Sequence, residues 1–72
     1  MKRATTITVR LGDQPHEVLE GTTLAELVAS LGHAPNAVTT AVDGVFVPRG
    51  QRDGYLLRAG DAVLLFQPIV GG

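Results

Sequence analysis

One stretch of the sequence has a clear helical period, and it restricts the domain to a small set of folds. Thr23 and Glu26 have the spacing of a capping box, in which each side chain accepts a hydrogen bond from the other residue's backbone. Gly32 supplies the left-handed residue that commonly ends a helix. We therefore predict one helix of about two to three turns. Its apolar stripe follows the spacing i, i+3, i+4, i+7 and consists of Leu24, Leu27, Val28 and Leu31.

A β-hairpin is predicted before this helix. Residues 5–11 alternate between apolar and polar side chains, which indicates a half-buried strand. Residues 12–15 carry a turn signal, and residues 16–19 are predicted to form a short return strand. Because Val18 and Leu19 are adjacent, only one of them can point inward, and we favour Val18.

A second hairpin and a last strand are predicted after the helix. Residues 38–42 and 45–47 flank Asp43-Gly44, a favoured two-residue hairpin turn. Pro48 ends the second of these strands, because proline cannot donate to a strand ladder. Residues 61–70 are dense in β-branched and apolar side chains and predict the last strand.

The segment between the second hairpin and the last strand is predicted to lie mostly on the surface. Residues 49–54 are polar and glycine-punctuated, whereas residues 55–57 form an apolar plug for one end of the core. Arg49, Arg52 and Arg58 are expected to be solvated, with a basic patch that steers an acidic partner as the alternative.

These elements predict an α+β fold with two layers, in which four or five strands pack on one helix. The chain has 72 residues and no cysteine, so no disulfide can add to the ~3–5 kcal/mol of stability usual at this size. We expect a single domain, 1–72, with a flexible C-terminal tail, 67–72.

Charge and motifs exclude several classes of function. A net charge of −1 gives no electrostatic reason to bind nucleic acid or an anionic membrane. No stretch predicts a membrane span or a signal peptide, so a cytoplasmic protein is expected. His16 and His33 are isolated by spacing, so we predict no metal site. No catalytic triad, paired carboxylates or phosphate-binding loop is apparent, so we predict no catalytic residue and no enzyme.

The last predicted strand is apolar on both of its faces. If Val63 and Leu65 face the helix, Leu64 and Phe66 are left exposed, because one helix covers only one face of a sheet. An exposed apolar patch is typical of a docking surface. The alternative is ordinary variation in surface apolarity.

The sequence closes with Gly71-Gly72, directly after this strand. Glycine lacks a Cβ, so such a tail is thin and can enter a narrow cleft of another protein. We interpret the carboxylate of Gly72 as the working group. The alternative is chance, because small residues are common at chain ends.

Four segments of the sequence carry a family resemblance: residues 21–27, 41–49, 60–63 and 71–72. The chain resembles the ubiquitin-like β-grasp fold and, within its MoaD/ThiS branch, the ThiS family of sulfur carriers for thiamine biosynthesis. The resemblance covers nearly the whole chain. The Val47-Pro48-Arg49 step and the short length favour ThiS over the molybdopterin carrier MoaD. The family resemblance implies a mixed β-grasp sheet of four or five strands packed on one main helix.

The resemblance also implies a function for the tail. Gly72 would be adenylated and converted to a thiocarboxylate, which donates sulfur to the thiazole ring of thiamine, and Gly71 would clear its path. The partners implied are a ThiF-like adenylating enzyme that uses ATP, a ThiG-like thiazole synthase and a sulfur donor such as a cysteine desulfurase. The carrier itself would bind no cofactor and be monomeric when alone. The docking residues implied are Ala41, Leu64, Phe66 and Ile69.

Two alternatives stay open at the level of sequence. The first is sulfur carriage for another pathway, such as molybdopterin synthesis, cysteine synthesis or tRNA thiolation. The second is a ubiquitin-like modifier or binding module, which would be conjugated through Gly72 or would simply dock through its sheet.

Overall fold

The computed structural model describes residues 5–67. In chain order, its elements are β1 (Thr6–Leu11), β2 (Gln14–Leu19), α1 (Leu24–Ser30), a first 3₁₀ helix (Pro35–Ala37), β3 (Thr39–Val42), β4 (Val45–Val47), a second 3₁₀ helix (Arg49–Gly54) and β5 (Ala62–Phe66). The predicted order of hairpin, helix, hairpin and last strand is confirmed.

The strands form one five-stranded sheet in the order β2-β1-β5-β3-β4. The first and last strands lie side by side in the centre and run parallel, with Leu11 beside Val63. Every other neighbouring pair is antiparallel, so the sheet is mixed. Strand β5 therefore joins the two hairpins into one sheet, and α1 packs on one face of it, as a β-grasp fold requires.

The first hairpin is tighter than its sequence suggests. Its turn is only Gly12-Asp13, and Gln14 and Pro15 already belong to β2, where they pair with Leu11 and Arg10. The turn predicted over residues 12–15 is therefore too long. Because β2 is an edge strand, a proline can sit in it without breaking a ladder between two neighbours.

The side-chain orientation in β2 agrees with the prediction that Val18, and not Leu19, points inward. Val18 pairs with Ile7, and both pack against the core, whereas Leu19 is 55% exposed. The alternation of β1 decides this arrangement, because directly opposed residues in an antiparallel pair share one face of the sheet.

The helix is defined at both ends by the residues that predicted it. The backbone N–H of Glu26 donates to Thr23 Oγ1 at 3.1 Å, and the N–H of Thr23 donates to Glu26 Oε1 at 2.9 Å. Gly32 has a φ of 87°, the left-handed conformation that stops the helix. Its buried residues Leu24, Leu27 and Val28 meet the sheet.

The second hairpin has the turn that Asp43-Gly44 predicts. Both residues have positive φ, 52° for Asp43 and 82° for Gly44, which is the requirement of a type I′ turn. This turn pairs Val42 with Val45 and sets the register of β3 against β4.

The core between helix and sheet is made almost entirely of aliphatic side chains. The segment 55–57 closes one end of it, and its backbone is fixed to the start of the helix: Leu24 N–H donates to Tyr55 at 2.8 Å and Leu57 N–H to Thr22 at 3.0 Å. Leu57 is buried, but Leu56 is 59% exposed, so only part of the predicted plug enters the core. The buried apolar residues are Val9, Leu24, Leu27, Val28, Val38, Val42, Val47, Leu57 and Val63.

Arg52 is buried, and the prediction that it is solvated is wrong. It is only 4% exposed, and its guanidinium donates to three acceptors in the stretch between Pro35 and Thr40. Nε donates to Thr40 Oγ1 at 3.0 Å, Nη1 to the carbonyl of Pro35 at 2.8 Å and Nη2 to the carbonyl of Val38 at 2.6 Å. The hydroxyl of Thr40 in turn donates to the carbonyl of Val47 at 2.9 Å.

The side chains of Arg52 and Thr40 together connect β3, β4 and both 3₁₀ helices. Burial lowers the pKa of the Arg52 guanidinium, and the nearby positive charge of Arg49 adds to that effect. A guanidinium nevertheless keeps its proton at neutral pH. Its fixed fork of donors suits acceptors that point at it from several directions, which the single ammonium of lysine cannot match.

We predict that Arg52→Met lowers the free energy of unfolding by about 3 kcal/mol, because it leaves buried carbonyls without donors. The control is Arg58→Met, which removes an exposed arginine and should change the value by less than about 0.5 kcal/mol. Urea unfolding followed by circular dichroism measures both. Equal midpoint shifts in the two variants would show that the Arg52 hydrogen bonds contribute nothing of their own.

Candidate functional site

The face of the sheet that points away from α1 carries an apolar row across three strands. Ala41 in β3 lies between Phe46 in β4 and Leu64 in β5, and directly opposed residues share one face. Phe46 is 61% exposed and Leu64 is 38% exposed. Ala41 is half-buried between them. This row is the centre of an exposed apolar surface.

Phe66 extends the row at the end of β5. It lies opposite Thr39, on the same face as Leu64, and is 51% exposed. Val63 and Leu65, in the same strand, point to the other face, where Val63 is fully buried. We call the half-buried Ala41 and the exposed Phe46, Leu64 and Phe66 the apolar patch.

The apolar patch occupies only half of the exposed face. On the other half, β1 presents Thr6, Thr8 and Arg10, and β2 presents Glu17 opposite Thr8. Leu19 and Pro15 are apolar exceptions there. The polar half gives the face a direction, because an apolar partner surface would contact β3, β4 and β5 rather than β1 and β2.

Three of the residues predicted to dock a partner, Ala41, Leu64 and Phe66, lie together in this patch. Their docking role stays a prediction. The fourth, Ile69, lies outside the described residues, as do Gly71 and Gly72. The described chain ends at Gln67, which is exposed and follows directly after Phe66.

Sequence reasoning missed Phe46, which is the most exposed aromatic residue of the patch. Its place on this face depends on pairing with Ala41 across the turn. That register follows from Asp43-Gly44, since a two-residue turn fixes which residues oppose one another. The turn motif therefore contained the signal that Phe46 and Ala41 share a face.

The carboxylates near the start of β5 serve local structure. Asp43 Oδ1 accepts from the N–H of Ala62 at 2.9 Å, and Asp61 Oδ2 accepts from the N–H of Arg58 at 2.9 Å. Burial raises the pKa of the nearby Tyr55 phenol, and the negative charges of Asp61 and Asp43 raise it further. These groups hold turns in place, as aspartates commonly do.

Residues 5–67 also contain features outside the apolar patch. No group of three or more metal-ligating side chains is placed to hold an ion there. In the same part of the chain, no helix has the length and apolar character needed to cross a membrane. A cavity of about 150 Å³ lies between α1 and the second 3₁₀ helix, beside the buried Arg52. The three arginines predicted as a possible patch do not form one on the surface, because Arg52 is turned inward.

The sequence and the fold are both similar to those of known proteins. The model of the ThiS family matches residues 3–72, which is nearly the entire sequence. The chain belongs to the ThiS family. The resemblance noted in the sequence is thereby confirmed, and with it the ubiquitin-like β-grasp fold.

Two relatives show how far the similarity to ThiS extends. The sulfur carrier protein ThiS of Escherichia coli strain K12 is 33% identical over 64 residues, which are 89% of this chain and 97% of the relative. The crystal structure of a thiamine biosynthesis protein, ThiS, from Geobacter metallireducens is 25% identical with a TM-score of 0.79. That similarity covers 92% of this chain and 100% of the other.

We predict that a negative charge placed on the apolar patch changes stability little. The same charge placed on the buried face of β5, which packs against α1, should unfold the protein. Phe66→Asp should shift the free energy of unfolding by less than about 1 kcal/mol, because the side chain is half exposed. Val63→Asp would bury an unpaired carboxylate, at a cost of several kcal/mol. Thermal unfolding followed by circular dichroism measures both. A large loss in Phe66→Asp would mean that the two faces have been assigned wrongly.

Proposed function

We propose that this ThiS-family protein carries sulfur on the carboxylate of Gly72 for the synthesis of the thiamine thiazole ring. The observation that carries the proposal is the family match, which runs through residue 72 and so includes the terminal Gly71-Gly72. The Escherichia coli relative, a sulfur carrier protein by name, matches over 97% of its own length. The protein would be a co-substrate of its partners rather than an enzyme.

The chemistry at Gly72 explains why activation is needed. A carboxylate resists attack because of its negative charge and resonance. Attack of its oxygen on the α-phosphorus of ATP, with pyrophosphate leaving, gives an acyl adenylate without that charge. Attack of hydrosulfide-level sulfur on the carbonyl carbon then expels AMP, releases a proton and leaves a thiocarboxylate. ATP is the partner's substrate here, and the carrier holds no cofactor.

The absence of cysteine from the sequence fits this role. Sulfur cannot be stored on a thiol of the carrier, which is consistent with a terminal carboxylate as the group that receives it. Activated acyl groups hydrolyse readily, so the partner must enclose the carbon and exclude water. Residues without a Cβ at positions 71 and 72 allow a close-fitting enclosure of that kind.

The apolar patch supplies the docking half of the proposal. Phe66 lies at the end of β5, so a partner seated on the patch is next to the point where the tail leaves the sheet. Six residues from Gln67 to Gly72 span at most about 20 Å at 3.3 Å each. A partner can thus hold the body by Ala41, Phe46, Leu64 and Phe66, with Ile69 following, while its active site takes the carboxylate.

The partners follow from the steps. A ThiF-like enzyme would form the adenylate, and a sulfur donor such as a cysteine desulfurase would supply the sulfur, with a thiol reductant that releases its persulfide sulfur as hydrosulfide. A ThiG-like thiazole synthase would accept the sulfur from the thiocarboxylate.

Tandem mass spectrometry of the C-terminal fragment tests the tail directly. We expect sulfur in place of one oxygen on Gly72 when the untagged protein is incubated with the adenylating partner, ATP and a sulfur source. The fragment must be isolated, because oxidation of Met1 changes the total mass by nearly the same amount. A protein lacking Gly72 should keep its unfolding curve and accept no sulfur. A plain carboxylate with every partner, or isopeptide adducts instead, would contradict the proposal.

A second experiment tests the apolar patch. We expect Phe66→Asp to raise the KM for the carrier in the adenylation reaction at least tenfold, with little change in kcat, because docking precedes chemistry. Leu19→Asp is the matched control: Leu19 is 55% exposed on the polar half of the same face. A KM that rises equally in both variants would show only a general charge effect and would remove the patch from the proposal.

A further inference from the structure

The cavity between α1 and the second 3₁₀ helix is lined by both charged and apolar side chains. Its volume is about 150 Å³. The second 3₁₀ helix contributes the charged residues Arg49, Arg52 and Asp53. One face of α1 contributes the apolar residues Ala25, Val28 and Ala29. Sites for small molecules commonly combine an apolar lining with a few polar groups that fix the orientation of the ligand.

The positive charge of Arg52 is not balanced by its own hydrogen-bond partners. The residue is only 4% exposed, and its three acceptors are a threonine hydroxyl and two backbone carbonyls, all of them neutral. Neutral acceptors stabilise a buried cation through their dipoles, but the charge itself stays uncompensated, which is costly away from water. Arg49 adds a second positive charge, close enough to lower the pKa of Arg52. A negative group in the cavity would relieve both costs.

Arg52 also keeps donors that the fold does not use. A guanidinium has two N–H groups on each Nη and one on Nε. The bonds to Thr40, Pro35 and Val38 use one N–H on each of the three nitrogens. Within residues 5–67, one N–H of each Nη is therefore left without an acceptor. A negatively charged oxygen is the acceptor that forms the strongest hydrogen bond with such a group.

We propose that this cavity binds a small carboxylate with a compact apolar body. The carboxylate lies against Arg52 and Arg49, and the apolar body contacts the face of α1 that carries Ala25, Val28 and Ala29. A cavity of about 150 Å³ has room for a molecule of the size of benzene. Isobutyrate, which like benzene has about six non-hydrogen atoms, is therefore a suitable probe.

The balance of charges in the lining favours a monoanion. Arg49 and Arg52 carry two positive charges against the single negative charge of Asp53. A carboxylate balances the remaining positive charge, whereas a phosphate dianion exceeds it and makes poor use of the apolar lining. A neutral molecule of the same shape fills the space but leaves the charge of Arg52 uncompensated.

This site is separate from the apolar patch. The cavity lies on the α1 side of the sheet, whereas the patch lies on the opposite face. A bound carboxylate therefore leaves Phe46, Leu64 and Phe66 uncovered. It contacts α1 and the second 3₁₀ helix at once, so it should stabilise the folded state by mass action.

An NMR titration of the ¹⁵N-labelled chain with sodium isobutyrate tests the site, at an ionic strength held constant with sodium chloride. We expect saturable chemical-shift changes at the Arg52 Nε–H and at the backbone amides of Ala25 and Ala29, with a dissociation constant of about 1 mM. Isobutyramide, which has the same shape without the charge, should bind at least tenfold more weakly. Inorganic phosphate should bind at least fivefold more weakly.

Two variants test the lining without removing Arg52, which the fold itself needs. Arg49→Gln removes a positive charge and should weaken isobutyrate binding at least threefold. Ala25→Leu extends a side chain into the cavity and should weaken it at least tenfold. The matched control is Arg10→Gln, which removes an exposed charge from the opposite face of the sheet and should leave the dissociation constant unchanged. Circular dichroism confirms the folding of each variant.

Thermal unfolding gives a second measurement. Isobutyrate should raise the unfolding midpoint of the natural sequence above that in chloride alone, with no such rise in Ala25→Leu. Shifts that do not saturate by about 50 mM, or equal binding of isobutyramide, would overturn the proposal. Equal losses in Arg49→Gln and Arg10→Gln, or tighter binding of phosphate, would overturn it as well. None of these measurements involves sulfur transfer, so failure here leaves the proposed function intact.

Discussion

The structure depends on the limited cover that one seven-residue helix can give to a five-stranded sheet. The helix buries one face with Leu24, Leu27 and Val28, and the described chain has no second layer for the opposite face. Apolar side chains on that opposite face are therefore exposed, because no other element of the described chain covers them. The chain has confined most of them to β3, β4 and β5 and has kept β1 and β2 mainly polar.

The alternation of apolar residues predicted most of the fold, because it acts locally. β1 alternates with a period of two, β5 is a continuous run of apolar residues, and the helix is bounded by Thr23, Glu26 and Gly32, so each element contains its own evidence. The family resemblance then fixed how the elements are arranged. The first turn was predicted too long because proline usually indicates a turn. Pro15 can lie within β2 only because that strand is at the edge of the sheet.

Arg52 shows where local reasoning stops. Its acceptors lie 12 to 17 residues away in sequence, and two of the three are backbone carbonyls. A carbonyl belongs to every residue, so no residue type marks it as a partner. The polar and glycine-punctuated segment around Arg52 is typical of a surface loop, and only the packed structure shows that its arginine turns inward. Phe46 was missed for a related reason, since its face follows from register with Ala41 rather than from its own neighbours.

The central parallel pair has a mechanical consequence. β1 and β5 are held by backbone hydrogen bonds such as Arg10 N–H to Asp61 at 2.8 Å and Gly12 N–H to Val63 at 2.9 Å. Because the two strands are parallel, a force that pulls the start of β1 and the end of β5 in opposite directions acts along both strands. It loads these bonds together in shear instead of opening them one by one. An unfolding enzyme that pulls on the end of β5 therefore meets the combined resistance of these hydrogen bonds at the centre of the sheet.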